Sequence, residues 1–177
     1  MNILSRLFLV GGVSETTGAA PTRIASANAT IGLKDGKLYF ASSGFGSQTP
    51  EGGMVTGMVL DSGELDLSSI PGAGDVTISI NLDDAVWAAG YRFPSDIYQA
   101  VAIAVYPSNS TSVPPAVFGL GSWPNEFDAP VFDDGGKKLV FIDKDDDTNT
   151  YEYSIAVIKP GGERIVLDPK IKNGGHG

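Results

Sequence analysis

Alternation of apolar and polar residues is the dominant pattern in this chain. Residues 76–82 follow it without a break, since Val, Ile, Ile and Leu alternate there with Thr, Ser and Asn. Side chains of an extended backbone point to opposite faces in turn, so a period of two predicts a strand with one buried face. Residues 22–33 repeat the pattern with smaller side chains and predict a second strand of this kind.

Short apolar runs between turn-forming residues predict further strands. Asp35 and Gly36 separate two of these runs, and an Asp-Gly pair supplies the positive φ angles that a type I′ hairpin turn requires. Residues 42–53 have no apolar periodicity and predict a long loop. The runs that predict strands lie at residues 38–41, 54–60, 64–67, 97–106, 116–121, 139–142, 151–158 and 164–167, and the last three are expected to form a meander.

Two segments have a different pattern. Residues 83–90 combine an N-cap candidate, an acidic first turn and a terminal glycine, which predicts one or two helical turns. Residues 3–10 fit either a strand or the start of a short helix, and the glycines after them favour a strand. We expect eight to nine of these segments to be strands and at most one to be a short helix, which predicts an all-β fold, a two-sheet antiparallel β-sandwich of jelly-roll or immunoglobulin-like type.

Length and composition refine this picture. The 177 residues suit a single sandwich domain over residues 1–177, with residues 1–12 as a candidate N-terminal strand arm and residues 172–177 as a flexible tail. The 23 glycines and 11 prolines suit a chain that turns often. The absence of cysteine removes disulfides and thiolate metal ligands.

Charge and hydropathy narrow the partners and the location. A formal net charge of −9 repels phosphate backbones, so no nucleic-acid partner is expected. No apolar run approaches the roughly 20 residues that a membrane span needs. The chain start resembles a secretory signal only loosely, because few apolar residues follow Arg6. A cytoplasmic or particle-associated location is therefore favoured over secretion.

An acidic segment over residues 143–150 is the candidate metal site. Asp143, Asp145, Asp147 and Asn149 occupy alternate positions, as oxygen ligands do in Ca²⁺-binding loops. The segment departs from the EF-hand pattern, with Thr148 in place of the turn glycine and no carboxylate at the closing position. The alternative is a solvated hairpin loop that holds no ion. Ca²⁺ is thus the one cofactor that the sequence suggests.

Aromatic residues beside prolines form the candidate ligand-binding site. Trp123, Phe127 and Tyr91 are the candidate contacts, together with Phe93 and Phe132, of a carbohydrate or peptide groove. The alternative is that these rings cap the ends of the sandwich core, which is the more common role of such aromatics.

Catalytic constellations are hard to find in this chain. The single histidine, His176, lies next to the last residue, which is a poor position for a Ser-His-Asp triad or a histidine zinc site. Adjacent carboxylates such as Asp83-Asp84 and Asp133-Asp134 are ordinary in turns and helix caps. We therefore expect a protein that is not an enzyme.

Several short segments resemble small bacterial inclusion-body proteins of the PixA/AidA kind. They are the tyrosine-bearing segment 151–155, the closing segment 167–173, and the Gly-Glu-Leu-Asp-Leu and Gly-Asp-Val segments at residues 63–67 and 74–76. Ile78-Ser79-Ile80 stands where that family has a Trp-Arg segment. The resemblance implies a β-sandwich that accumulates or self-associates.

These observations favour a non-enzymatic binding or self-assembling β-sandwich, with another copy of itself or another protein as partner. Ile3, Leu7 and Leu9 are the candidate assembly residues, because an apolar arm can add a strand to a neighbouring sheet. A structural subunit of a phage or secretion particle is one alternative. A Ca²⁺-dependent carbohydrate-binding module is the other.

Overall fold

A computed structural model describes residues 24–48, 54–57, 65–66, 75–106, 116–144, 149–168 and 170–172. Over these residues the protein is mostly β, with two sheets and one short α-helix. Eight of the strands found there have four or more residues, which agrees with the expected number, and β4, β7 and β11 are shorter. The strands are β1 (Ile24–Lys34), β2 (Lys37–Gln48), β3 (Met54–Gly57), β4 (Leu65–Asp66), β5 (Val76–Leu82), β6 (Val101–Tyr106), β7 (Val131–Asp133), β8 (Lys138–Asp143), β9 (Thr150–Ile158), β10 (Arg164–Leu167) and β11 (Lys170–Lys172).

The first sheet has the strand order β3-β2-β1-β5-β8-β7. β1 and β2 form the predicted hairpin, and its turn residues Asp35 and Gly36 have φ angles of 50° and 75°, as a type I′ turn requires. β1 pairs with β5 in parallel, and β4 pairs with β11 in parallel in the second sheet. The expectation of purely antiparallel sheets is therefore wrong for these two pairs, because the chain leaves the first sheet for β4 before β5 returns beside β1.

The second sheet is built around β9. This strand pairs along different parts of its length with β6, β10 and β11, and β4 lies beside β11. The predicted meander of β8, β9 and β10 is wrong, because β8 pairs with β5 and β7 in the first sheet. The acidic segment after β8 therefore connects the two sheets and does not close a hairpin.

Three segments differ from their predicted structure. In the first, residues 97–106, a 3₁₀ turn (Ile97–Gln99) precedes the strand, which begins at Val101. Residues 42–48 belong to β2 and not to a loop, since their backbone pairs with β1 up to Ile24 opposite Gln48. Backbone hydrogen bonds of this kind need no apolar side chain, so periodicity does not reveal them. Residues 116–121 form no strand; a 3₁₀ turn, Leu120–Ser122, lies there, with Val117 and Leu120 61% and 66% exposed.

The core contains side chains from both sheets. The alternation of β5 is confirmed, because its residues are alternately buried and half-buried along the whole strand. Tyr151, Tyr153 and Ile155 of β9 are buried in the same cluster as Phe141 of β8. The buried members of the cluster in β1, β5, β6, β8 and β9 are Ala27, Ala29, Ile31, Val76, Ile78, Ile80, Leu82, Val101, Ile103, Leu139, Phe141, Tyr151, Tyr153, Ile155 and Val157.

The predicted short helix is confirmed as α1 (Asp84–Ala88). Its N-cap is Asp83, whose Oδ1 accepts a hydrogen bond of 2.7 Å from the backbone N–H of Val86. Val86 is fully buried and anchors the helix on the core. Among the residues in the described ranges, no helix combines the length and the apolar character needed to cross a membrane.

Asp83→Ala is expected to lower the free energy of unfolding by about 0.5–2 kcal/mol, because it removes the side-chain acceptor that caps the start of α1. Urea unfolding measures the change. Asp75→Ala is the matched control, since Asp75 is an exposed aspartate directly before β5. An equal effect of the two substitutions would contradict the capping role.

Candidate functional site

An open cleft of about 320 Å³ lies at the C-terminal end of α1. One wall is the segment after the helix, the second is the half-buried ring of Trp87, and the third is β7 with the turn that follows it. The side chains that line it are Trp87, Arg92, Phe93, Pro94, Ser95 and Phe132, beside the glycines at positions 135 and 136.

Backbone geometry brings these walls together. α1 ends where Gly90 adopts a φ of 86°, which turns the chain back towards the second sheet. Arg92 then pairs with Ile158 of β9 through two backbone hydrogen bonds of 3.0 and 2.7 Å. Phe132 belongs to β7 at the edge of the first sheet. The cleft therefore lies between an edge of one sheet and a segment attached to the other.

Arg92 is the central polar group of the cleft. Its guanidinium carbon lies 3.6 Å from the centroid of the Trp87 ring, in a cation–π contact. Its Nη1 donates hydrogen bonds to the carbonyls of Trp87 (2.8 Å) and Tyr91 (2.7 Å). The guanidinium is therefore fixed in position and orientation although the residue is exposed.

Two phenylalanines supply the apolar surface of the cleft. The rings of Phe93 and Phe132 are stacked, with centroids 6.1 Å apart and an interplanar angle of 20°. Phe93 is 7% exposed, whereas Phe132 is half-buried and leaves part of its ring accessible. Such a combination of aromatic rings with one fixed polar group is typical of small-molecule sites.

Two lysines that directly follow the glycine turn of the cleft form ion pairs. Lys137 pairs with Asp84 of α1, and Lys138 pairs with Asp133 at 3.2 Å. The hydrogen bond and the charge of Lys137 lower the pKa of Asp84 below its ordinary value, and the hydrogen bond from Lys137 to Asp84 raises the pKa of the lysine. Over the part of the chain that is described, Arg92 has no carboxylate partner, so it is the unpaired cation of the cleft.

Asp84→Asn is expected to destabilise the protein slightly at neutral pH and not at the extremes. A carboxyl pKa lowered by folding stabilises above the ordinary value of 3.8, and this contribution disappears as the pH falls through the folded pKa. A lysine pKa raised by folding stabilises below 10.5, and that contribution disappears as the pH rises through the folded pKa. Urea unfolding of the unmodified protein and of Asp84→Asn across pH measures the difference in their free energies of unfolding. A difference that does not change with pH would contradict the prediction.

Comparisons of the chain with protein-family models and with curated protein sequences found no match. The resemblance to inclusion-body proteins stays a prediction.

The structure places two of the predicted ligand residues, Phe127 and Tyr91, in the core and the third, Trp123, against it. Phe127 is 3% exposed and Tyr91 is 5% exposed, so neither ring presents a face to a ligand. Trp123 packs against the core, and its Nε1 donates a 2.9 Å hydrogen bond to the carbonyl of Phe127. These positions are those of the alternative interpretation, in which the rings cap a core.

The aromatic group of the sequence thus divides into two. Phe93 and Phe132 line the cleft, whereas Trp123 and Phe127 do not; Phe93 and Phe127 also belong to the core cluster, and Trp123 and Phe132 pack against it. Trp87 and Arg92 were missed as site residues. The helix signal around Trp87 was visible in the sequence, but the return of the chain after Gly90 depends on pairing with β9, which no local pattern predicts.

The predicted cation site is only partly described. Asp145 and Asp147 lie outside the described residues. Asp143 is fully buried and shares the core face of β8 with Leu139 and Phe141, because the alternation of the strand continues to its last residue. Asn149 donates a 3.4 Å hydrogen bond to the hydroxyl of Tyr151. Among the described residues, no three acidic, histidine or cysteine side chains form a group that could hold a metal.

The predicted assembly residues Ile3, Leu7 and Leu9 also lie outside the described residues, as do the arm over residues 1–12 and His176.

Proposed function

We propose that this protein is a non-enzymatic binding protein with a β-sandwich fold, and that its cleft beside α1 holds a small organic ligand. The observation that carries the proposal is the fixed guanidinium of Arg92 beside the accessible ring of Phe132. The shared core of the two sheets supports the sandwich, because Phe127 contacts both Phe141 of β8 and Tyr151 of β9.

Two features of the cleft are typical of a ligand-binding site and not of an ordinary surface depression. Its volume of about 320 Å³ falls within the range of small-ligand sites. Its polar group is held by hydrogen bonds to the backbone, so a ligand does not have to order it on binding.

Indole N–H signals in ¹H–¹⁵N NMR spectra test the proposal, because the chain contains two tryptophans with different surroundings. Trp87 lines the cleft, whereas Trp123 donates its indole N–H to the carbonyl of Phe127. The probes are methyl glucoside, methyl glucuronide, N-acetylphenylalanine and N-acetylphenylalanine amide. We expect at least one of them to shift the Trp87 signal and to leave that of Trp123 in place.

Phe132→Ala checks that the shift reports binding in the cleft. It removes the accessible ring and is expected to weaken binding of the active probe about tenfold, since about 1.4 kcal/mol of apolar contact is lost. Leu120→Ala is the control, because Leu120 is 66% exposed and does not line the cleft. The proposal is wrong if none of the probes shifts the Trp87 signal at millimolar concentration.

Self-assembly, a particle subunit and a Ca²⁺-dependent carbohydrate module stay predictions. Light scattering after size-exclusion chromatography tests the first two, with the chain lacking residues 1–12 as the comparison. Titration calorimetry with Ca²⁺ in chelator-treated buffer tests the third.

A further inference from the structure

We propose that the ligand of this cleft combines a carboxylate with an aromatic or other ring, and that Arg92 binds the carboxylate through its Nε and Nη2 atoms. This inference depends on the proposed function of the cleft and adds the chemical class of the ligand.

The hydrogen bonds of Arg92 determine which donors remain. A guanidinium carries five N–H groups, and Nη1 supplies two of them. Both are directed to backbone carbonyls, those of Trp87 and Tyr91. The end of the guanidinium that contains Nη1 is thus occupied. Within the described residues, Nε and Nη2 make no hydrogen bond, so one edge of the group offers two parallel donors.

Two parallel N–H donors match the two oxygens of a carboxylate. This bidentate geometry is the strong mode of arginine–carboxylate recognition, and it adds direction as well as charge. The Trp87 ring contacts the guanidinium, with 3.6 Å between its centroid and the guanidinium carbon, and helps to hold the group in place. The arrangement is therefore ordered before a ligand arrives.

The charges around the cleft favour an anion at Arg92 and not elsewhere. Lys137 and Lys138 already have Asp84 and Asp133 as partners. Arg92 lacks such a partner within the described part of the chain, so a ligand carboxylate would be its ion-pair partner. The stacked rings of Phe93 and Phe132 lie in the same cleft and provide an apolar surface for the body of the ligand.

A matched pair of probes tests the inference. N-acetylphenylalanine and its amide have the same body and differ in the carboxylate. Their dissociation constants are measured from the Trp87 indole signal. We expect the acid to bind about tenfold to a hundredfold more tightly than the amide, as expected for a charge-assisted pair.

Variants of Arg92 locate the preference. Arg92→Lys keeps the positive charge but removes the two parallel N–H donors, and Arg92→Met removes both the charge and the donors. Each variant is expected to abolish most of the preference for the acid over the amide. Arg164→Met is the matched control, because Arg164 also places its guanidinium over a ring, that of Phe118 at 4.0 Å, and donates to the carbonyl of Gln99. Arg164→Met should leave the preference unchanged. The dispersion of the NMR spectrum verifies that each variant is folded.

Equal affinity for the acid and the amide in the unmodified protein would overturn the inference while leaving the proposed function standing. A preference that survives in both Arg92 variants would overturn it too. Inorganic phosphate is a further probe. If phosphate binds as tightly as the acid, the site is a general anion site and the assignment to a carboxylate is wrong. Failure of every probe to shift Trp87 would instead remove the proposed function itself.

Discussion

Replacing Phe127 with alanine is expected to lower the free energy of unfolding by about 3–5 kcal/mol, the cost of removing a buried aromatic ring from a packed core. Phe127 is 3% exposed. Its ring makes edge contacts with Phe141 of β8 at 6.0 Å and with Tyr151 of β9 at 5.0 Å between centroids. The substitution thus removes a contact between the two sheets and opens a cavity where they meet.

Urea unfolding followed by far-ultraviolet circular dichroism measures this loss. Leu120→Ala is the control, because Leu120 is 66% exposed and its removal is expected to change stability by no more than about 0.5 kcal/mol. A loss below about 1 kcal/mol for Phe127→Ala would show that the ring is not part of the core. That outcome would restore Phe127 as a candidate ligand contact.

Apolar patterns in the sequence predicted two strands that contribute large side chains to the core. β5 and β9 were expected nearly to the residue, because each places large apolar side chains on a shared core. The turn at Asp35-Gly36 was also predictable, since few residue pairs adopt two successive positive φ angles. In these elements the local sequence and the tertiary environment require the same conformation.

Strand pairing could not be predicted in the same way. Apolar residues at every second position indicate that a strand has a buried face, but they do not indicate which strand pairs with it. β8 and β9 follow each other along the chain and yet belong to different sheets. Likewise, the second half of β2 is rich in glycine and serine, and its strand structure depends on the backbone of β1.

The cleft illustrates the same difference at the level of the site. Aromatic residues beside prolines were visible in the sequence, and two of them, Phe93 and Phe132, do line the cleft. Arg92 was not visible as a site residue, because its role depends on carbonyls at the end of a five-residue helix. The sequence around a single arginine does not indicate which backbone carbonyls will accept hydrogen bonds from its guanidinium.

Gly32→Ala is expected to lower the free energy of unfolding by about 1–3 kcal/mol, the cost of overpacking a tight site. β2 contains a bulge at Ala41, because Thr30 pairs with Ser42 and Ile31 with Phe40. A Cβ atom on Gly32 would lie 2.8 Å from the Cβ of Ala41 and 3.0 Å from two ring carbons of Tyr39. The Cβ of Ala41 is fixed to the backbone and cannot move away by rotation.

Whether Gly32→Ala lowers or raises the free energy of unfolding distinguishes a steric clash from an effect of strand propensity. Without a clash, alanine in a strand would stabilise by about 0.5–1 kcal/mol relative to glycine. Gly121→Ala is the control, since no atom lies within 4 Å of an added Cβ there. In the double variant Gly32→Ala/Ala41→Gly the closest contact is gone, while the Tyr39 ring is 43% exposed and free to shift. The double variant should therefore recover about 1 kcal/mol relative to the sum of the single changes, and strict additivity in urea unfolding would refute the bulge as the cause.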